Sequence, residues 1–229
     1  MRDLGYIEGK NIFIEWRSGG GNRKRAAALA ADLLGLNMDV IVSAGAGATR
    51  ILKEATATIP IVMAQDDDPV GSGFVASLAR PGGNITGLST LAPELSGKRL
   101  ELLKETVPAL SRVAVFGSSV APANALAVSE TKRAAVALGV QVQYLDLQGP
   151  KDIETVFRAA VEARADGVLM LIPGPILRSH GAQIRNLALK NRLPAIYERR
   201  NDVEAGGLWS YGPVIEDLYR RAATTWTRS

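Results

Sequence analysis

The sequence predicts an α/β chain made of two consecutive modules, each with a parallel sheet. Apolar runs of strand length alternate with amphipathic runs of helical spacing, which is the pattern of strand–helix–strand units. Two strands in each half lead into loops of small or hydrogen-bonding residues, namely VIVSAGAGAT and PIVMAQDDDP, then VAVFGSSVAPA and PAIYERRN. Because parallel strands present ligand-binding groups at their carboxyl ends, two modules facing each other predict a cleft for a small molecule.

The first module is predicted over residues 1–90. Its strands are indicated by apolar runs, and its helices by Ala-rich and Leu-rich segments with helical periodicity. In order, the predicted elements are strand NIFIEWR, helix RAAALAADLLGL, strand DVIVSAG, helix ATRILKEATAT, strand IPIVMAQ, a short helix in DPVGSGFVASLAR and strand ITGLST. Strand DVIVSAG is apolar almost throughout, as expected when both faces of a sheet are covered.

The second module is predicted over residues 91–229, and it includes the helix that connects the modules and the terminal helix. Its elements are helix PELSGKRLELLKETVP, strand RVAVFGS, helix ANALAVSETKRAAVALG, strand VQVQYLDL, helix DIETVFRAAVEARA, strand GVLMLIP, helix RSHGAQIRNLALKNR, strand PAIYE, a short helix at NDVEAG, strand GLWSY and helix VIEDLYRRAATTWTRS. Strands joined by helices in this way imply parallel pairing with right-handed crossovers.

Composition excludes several classes of protein. The 229 residues are 47% hydrophobic and 22% charged, enough for two domains with their own cores. The absence of cysteine excludes disulfides, thiolate metal sites and a cysteine nucleophile. The net charge of +4 is scattered along the chain, so no nucleic-acid partner is predicted. No apolar run approaches the roughly 18 to 20 residues of a membrane span.

Both termini lead us to expect a fragment. The segment LGYIEGKN has the pattern of a helix end and a turn, and the first strand of the first module is absent. The terminal helix stops without a following strand, and MRDLGYIEGK lacks the apolar core of a signal peptide. We therefore expect a chain truncated at both ends.

Three segments resemble a known family. RDLGYIEGKNIFIEWR, then DPVGSGFVASLARPGGNITGLSTLAPELSGKRLELLKE, and finally LPAIYERRNDVEAGGLWSYGP resemble ABC transporter substrate-binding proteins of the tryptophan/tyrosine-binding type. The resemblance implies a type I periplasmic-binding-protein-like fold, in which two Rossmann-like lobes joined by a hinge close on a ligand. It also implies an amino-acid ligand, aromatic in the best understood members, that is passed to an ABC transporter permease.

The resemblance further implies a periplasmic or lipid-anchored envelope location for the full-length protein. We expect a monomer that needs no cofactor.

The first predicted binding loop follows Ser43. Gly45, Ala46 and the small residues after them let backbone N–H groups approach an anion at a helix N-terminus, so a ligand carboxylate is the expected guest. The spacing matches neither the dinucleotide fingerprint nor a P-loop. A tight turn without a ligand remains the alternative.

Three adjacent carboxylates, Asp66, Asp67 and Asp68, follow the strand IPIVMAQ. We expect Asp66 or Asp67 to accept hydrogen bonds from a ligand ammonium. The alternatives are capping of the next helix, assigned to Asp68, and a Mg²⁺ or Ca²⁺ site, for which no second cluster of ligands is visible.

The second module offers two more strand ends. Ser118 and Ser119, with Asn124 nearby, are predicted to complete the shell around the carboxylate, and plain helix capping is the alternative. Tyr197 and Glu198 follow a strand that the resemblance places at the cleft. They suit an aromatic or ammonium-bearing ligand, although Tyr197 in the core is a rival interpretation.

Enzyme chemistry is not predicted. The single histidine, His180, has no assignable Ser or Asp partner, and the motifs G-x-S-x-G and H-E-x-x-H are absent. No catalytic or metal-binding residue is therefore predicted. Two alternatives stay open: a Rossmann-like enzyme acting on a small metabolite, and the effector-sensing domain of a transcription regulator.

Overall fold

The computed structural model describes residues 2–20, 22–121, 123–172 and 174–226. They form two compact units, the first made of Met1–Thr90 with Ile215–Ser229 and the second of Leu91–Val214. In chain order the elements are α1 (Arg23–Leu34), β1 (Ile41–Ser43), α2 (Ala46–Ala55), β2 (Ile61–Asp66), β3 (Ile85–Ser89), α3 (Leu95–Thr106), β4 (Arg112–Gly117), α4 (Asn124–Leu138), β5 (Gln141–Asp146), α5 (Ile153–Glu162), β6 (Gly167–Met170), α6 (Gly174–Lys190), β7 (Ala195–Tyr197), α7 (Arg200–Glu204), β8 (Trp209–Ser210) and α8 (Ile215–Trp226). Short 3₁₀ helices occupy Arg2–Leu4 and Pro150–Asp152.

The first unit contains a parallel sheet in the order β1-β2-β3. Strand β2 is buried on both faces: Ile61 and Met63 pack in a cluster with residues of α1 and α2, whereas Val62 and Ala64 pack against α8. This alternation is why the strand sequence is apolar at every position from 61 to 64.

Helix α8 belongs to the first unit, whereas the sequence predicted it in the second module. Its Ala222 lies in one cluster with Val62 and Ala64, and the side-chain amide of Gln65 donates a hydrogen bond to the Tyr219 hydroxyl at 3.1 Å. The helix follows β8 in sequence, yet the apolar face that it covers is that of the first sheet.

The second unit is built on a five-stranded parallel sheet in the order β5-β4-β6-β7-β8. Ala114 and Phe116 pack on one face, where the rings of Phe116 and Phe157 meet edge to face at 4.9 Å. Val113 and Val115 pack on the other face against α3. Because β4 pairs with β5 on one side and with β6 on the other, the order of strands in the sheet reverses at β4, and open parallel sheets bind ligands at such points.

Two predicted elements of the first unit do not form. The segment NIFIEWR contributes only a bridge between Glu8 and Ile12, and its Phe13 is 80% exposed. Alternating apolar residues indicate a strand only when a partner strand pairs with them, and no described residue does so beyond that bridge. The segment DPVGSGFVASLAR forms turns rather than a helix. There the Asp68 carboxylate accepts a hydrogen bond from the Gly71 N–H at 2.8 Å, and Gly73 adopts a φ of 69°.

Strands β2 and β3 approach each other closely at Gly87. The pairing shifts register between Met63 and Asp66, and Gly87 has a φ of 137°. A Cβ on Gly87 would lie 2.2 Å from the Met63 carbonyl oxygen and 2.5 Å from its nitrogen. Only glycine fits there without moving the sheet backbone.

None of the helices in the described part of the chain combines the length and apolar character that a bilayer crossing requires.

Candidate ligand-binding site

In the first unit, three polar side chains meet at the carboxyl ends of β1 and β2. The hydroxyls of Ser43 and Thr49 are 2.8 Å apart, and the Thr49 hydroxyl donates to Asp66 Oδ2 at 2.7 Å. All three side chains are buried. Thr49, in the first turns of α2, thus joins two of the predicted site residues. Its signal in the sequence was a hydroxyl residue six positions after Ser43, in the predicted helix that follows β1.

The Asp66 carboxyl is only half satisfied. Its residue is 0% exposed, and Oδ1 is buried with no hydrogen-bond partner among the described residues. Burial, opposed by the Thr49 hydrogen bond and aided by the charge of Asp67, raises the pKa of Asp66 to about 6. Asp66 therefore provides an acceptor atom inside the unit rather than a surface charge.

Gly45 starts α2 with a φ of 85°, a conformation that residues with a Cβ rarely adopt. Its carbonyl accepts hydrogen bonds from the N–H groups of Ala48 and Thr49 at 3.0 and 3.2 Å. A Cβ on Gly47 would meet nothing within 4 Å, so the surface beside this helix start is open. With Ala46 as the first helical residue, the N-terminus of α2 carries only small side chains.

The three consecutive aspartates point to three different environments. Asp66 is buried, Asp67 is exposed and accepts a hydrogen bond from the Thr90 hydroxyl at 2.8 Å, and Asp68 caps the following turn. The alternative for Asp68 was a helix cap; because no helix forms there, its carboxylate instead accepts a hydrogen bond within a turn. Mutual repulsion is limited because one carboxylate is in solvent and one is engaged by backbone.

In the second unit, Ser118 and Ser119 follow β4 at the point where the strand order reverses. Ser118 is buried; its N–H donates to Asn124 Oδ1 at 3.1 Å, and its hydroxyl has no hydrogen-bond partner among the described residues. Ser119 is exposed, and its N–H and hydroxyl donate to Asp146 at 2.8 and 2.7 Å. Asn124 therefore holds the backbone of the loop after β4, whereas the alternative expected a helix cap, and no side-chain cap hydrogen bond is present at the start of α4.

Asp146, which the sequence analysis missed, organises this end of the sheet. The Ser119 hydroxyl and N–H lower its pKa to about 2, together with the side chains of Gln148 and Tyr144. Its signal in the sequence was an acidic residue at the end of β5, the strand that pairs with β4 just before Ser118 and Ser119.

Replacement of Asp146 by Asn is expected to lower the melting temperature by a few degrees at pH 7, because the carboxylate accepts charge-assisted hydrogen bonds. A lowered pKa stabilises the folded state above the unfolded pKa near 3.8, and this contribution is lost as the pH falls toward 2. The difference between the variants should therefore shrink in acid. Melting curves from pH 2 to 7 test this, with Glu162→Gln on the exposed face of α5 as a control; a difference that grows in acid contradicts it.

The side chain of Tyr197 is 1% exposed and lies in the core of the second unit, which favours the core interpretation over a ligand contact. Burial raises its pKa to about 12. Glu198, directly after β7, is partly exposed, with an oxygen 4.0 Å from Nη2 of Arg99. Of this predicted pair, only Glu198 offers a surface that a ligand can reach in this conformation.

No group of three or more His, Asp or Glu side chains that could hold a metal occurs among the described residues. His180 Nδ1 lies 2.8 Å from the hydroxyl of its neighbour Ser179.

Comparison with known proteins gives the family. A model of the family described as ABC transporter substrate binding protein matches residues 1–226. The chain belongs to this family. The resemblance seen in the sequence is thereby confirmed, and the family is one of transport proteins rather than enzymes. Members of this substrate-binding family bind small molecules and work with ABC permeases.

Among curated relatives, this family member is 25% identical over 222 residues to the tyrosine-binding protein of Clostridioides difficile. The match covers 97% of this chain, and the chain spans 63% of the length of that relative.

Two solved structures share the fold closely. A conserved domain protein from Vibrio cholerae is 28% identical with a TM-score of 0.88, and the ABC domain from Streptococcus pneumoniae in complex with L-Trp is 23% identical with a TM-score of 0.86. Each match covers 99% of this chain and 75% of the other. The predicted α/β fold with parallel sheets in two groups is confirmed.

Proposed function

We propose that this protein binds an aromatic amino acid outside the cytoplasmic membrane and passes it, unchanged, to an ABC permease. The proposal rests on one feature that both units share, polar side chains at the carboxyl ends of the parallel strands. At the carboxyl end of each parallel sheet, polar side chains converge, around Asp66 in the first unit and around Ser118 and Asp146 in the second. The aromatic class is taken from relatives named for tyrosine binding and for a complex with L-Trp.

The first unit offers complementary groups for the two charges of an amino acid. The N-terminus of α2 at Gly45 and Ala46 presents backbone N–H groups and the positive end of the helix dipole, which suit the ligand carboxylate. The exposed carboxylate of Asp67 suits the ammonium group. In this proposal Asp66 and Ser43 support the site from behind, because both are buried and bonded through Thr49.

The second unit supplies the remaining contacts in this proposal, from Ser118, Ser119 and Glu198. Closure by hinge rotation requires that the ligand interact more strongly with the closed form, since a ligand that touches one unit alone shifts no equilibrium. The closed form is then what the permease recognises. A monomer in the periplasm or anchored to the envelope suits this role.

A ligand screen tests the proposal. Thermal shift and calorimetry with the twenty amino acids and benzoate should give a saturable effect with L-tyrosine or L-tryptophan, about 2.7 kcal/mol of stabilisation at a hundredfold excess over Kd. The absence of any effect from every amino acid would refute it.

Two matched variants localise the site. Asp67→Asn should weaken amino-acid binding about tenfold, because a charged hydrogen bond to the ammonium is lost. Asp68→Asn makes the same change of charge one residue away and should leave the affinity within about twofold, because Asp68 is engaged by the turn. Equal effects of the two variants on affinity would show that Asp67 does not bind the ligand ammonium.

The enzyme alternative has its own test. NMR spectra of the bound amino acid after long incubation should be identical to those of the free compound, and any turnover would favour an enzyme instead.

A further inference from the structure

Arg99 on α3 is an almost fully buried arginine of the second unit, with 1% exposure. Its Nε donates to the Tyr211 carbonyl at 2.7 Å, and Nη1 donates to the Ala92 carbonyl at 3.0 Å and the Ser96 hydroxyl at 3.3 Å. Nη2 faces Glu198 Oε2 at 4.0 Å. Desolvating a guanidinium is costly unless such partners surround it, so this arrangement points to a specific role.

In sequence, the two residues whose carbonyls bond Arg99 lie near the first and the last residue of the second unit. Ala92 is its second residue, and Tyr211 comes three residues before its last residue, Val214. One guanidinium therefore holds side by side the backbone where the chain enters this unit and the backbone where it leaves.

The exit is fixed by further contacts. The Tyr211 N–H donates to the Tyr197 carbonyl at 3.0 Å, which continues the pairing of β7 with β8. The next residue, Gly212, lies so close to β7 that a Cβ would stand 2.2 Å from the Glu198 carbonyl oxygen. The backbone that carries the Tyr211 carbonyl is thus tied to the strand end of Glu198.

The entrance carries local strain. Leu91, the first residue of the unit, has a φ of 50°, in the left-handed region that costs a residue with a Cβ about 1 kcal/mol or more. A strained residue persists where its surroundings hold it, and the Arg99 bond to Ala92 is one residue away.

We propose that Arg99 is a positioning residue for ligand binding. It clamps together the two chain connections of the second unit, at Ala92 and Tyr211, and it holds the carboxylate of Glu198. Because of this clamp, hinge motion is confined to Leu91 and to the residues after Gly212. This inference rests on the proposed function. Arginine is required because its donors point in three directions, whereas a lysine ammonium cannot span both carbonyls and the carboxylate.

The first experiment uses the unaltered protein without ligand. In ¹H–¹⁵N NMR at neutral pH, the Arg99 Nε–H should give a resolved signal that exchanges slowly with water, and the Tyr211 amide should be as protected as those of β7. Fast exchange at both groups overturns the clamp, whether or not an amino acid binds.

The second experiment uses Arg99→Lys, with Lys98→Gln as a control for a substitution at the neighbouring exposed position of α3. Amides of residues 91–93 and 211–214 should exchange at least tenfold faster in Arg99→Lys, while those of β4 and β6 stay unchanged. Affinity for L-tyrosine or L-tryptophan should fall at least fivefold, and Lys98→Gln should match the wild type. A purely structural role predicts loss of protection throughout the unit, and that uniform result, or wild-type exchange and affinity, contradicts the proposal.

If Arg99→Lys does not fold, Gly212→Ala tests the same clamp from the exit side, since its Cβ would clash with the Glu198 carbonyl and force the backbone next to Tyr211 to move. The expected pattern is faster exchange in residues 211–214 with weaker ligand binding. Unchanged exchange there rejects the clamp. Failure of every amino acid to bind the wild type rejects the proposed function instead and leaves the exchange experiments decisive for the clamp.

Discussion

Gly87→Ala is expected to destabilise the first unit by about 3 kcal/mol or more. Two effects add: the residue has a φ of 137°, and its new Cβ would stand 2.2 Å from backbone of the neighbouring strand. Backbone cannot rotate away as a flexible side chain can, so β2 and β3 would have to separate. Urea unfolding followed by far-UV circular dichroism measures the loss.

Gly83→Ala is the matched control, because it lies in the loop before β3, is exposed and would place its Cβ in open space. Its free energy of unfolding should stay within about 0.5 kcal/mol of the wild type. Equal stability of the two alanine variants would mean that the strands do not approach as described.

Asp66→Asn is expected to change how stability depends on pH. The folded-state pKa of about 6 lies above the unfolded value near 3.8, so the folded state favours the protonated carboxyl. The resulting stabilisation of the folded state is fully present below pH 3.8 and is lost as the pH rises through 6. Between pH 4 and 7 the wild type should lose about 2 kcal/mol relative to the asparagine variant, which has no such proton to release.

Urea titrations at several pH values measure that difference. Asp39→Asn, which changes an exposed carboxyl before β1 in the same unit, should keep the wild-type profile. A difference between Asp66→Asn and the wild type that stays flat, or that changes in the opposite direction, would show that the Asp66 carboxyl is not desolvated.

Most strands and helices were predictable because each is a run of one periodicity. The apolar run around Val62 and the helix around Leu100 are examples, since the spacing of their buried apolar residues matches the period of a strand or a helix. The failures have local causes. Periodicity cannot show whether a strand finds a partner, as at Phe13, and it cannot show that a side chain such as Asp68 will hold a turn where a helix was expected.

The candidate site was predictable at the level of strand ends and not at the level of contacts. Loops after β1, β2, β4 and β7 do carry polar residues, but their partners come from elsewhere in the chain. Thr49 reaches Asp66 across seventeen positions, and Ser119 reaches Asp146 across twenty-seven. Tyr197 shows the converse difficulty, because an aromatic residue at a strand end is equally suited to the core.

The placement of α8 has a consequence for biosynthesis. The three-stranded sheet leaves the ribosome early, but the helix that covers Val62 and Ala64 is translated only after the whole of residues 91–214. At ordinary elongation rates that delay is on the order of ten seconds. During this interval the apolar face of the first sheet is uncovered in the nascent chain. The time for which a chaperone must shield that face therefore depends on how long residues 91–214 take to synthesise.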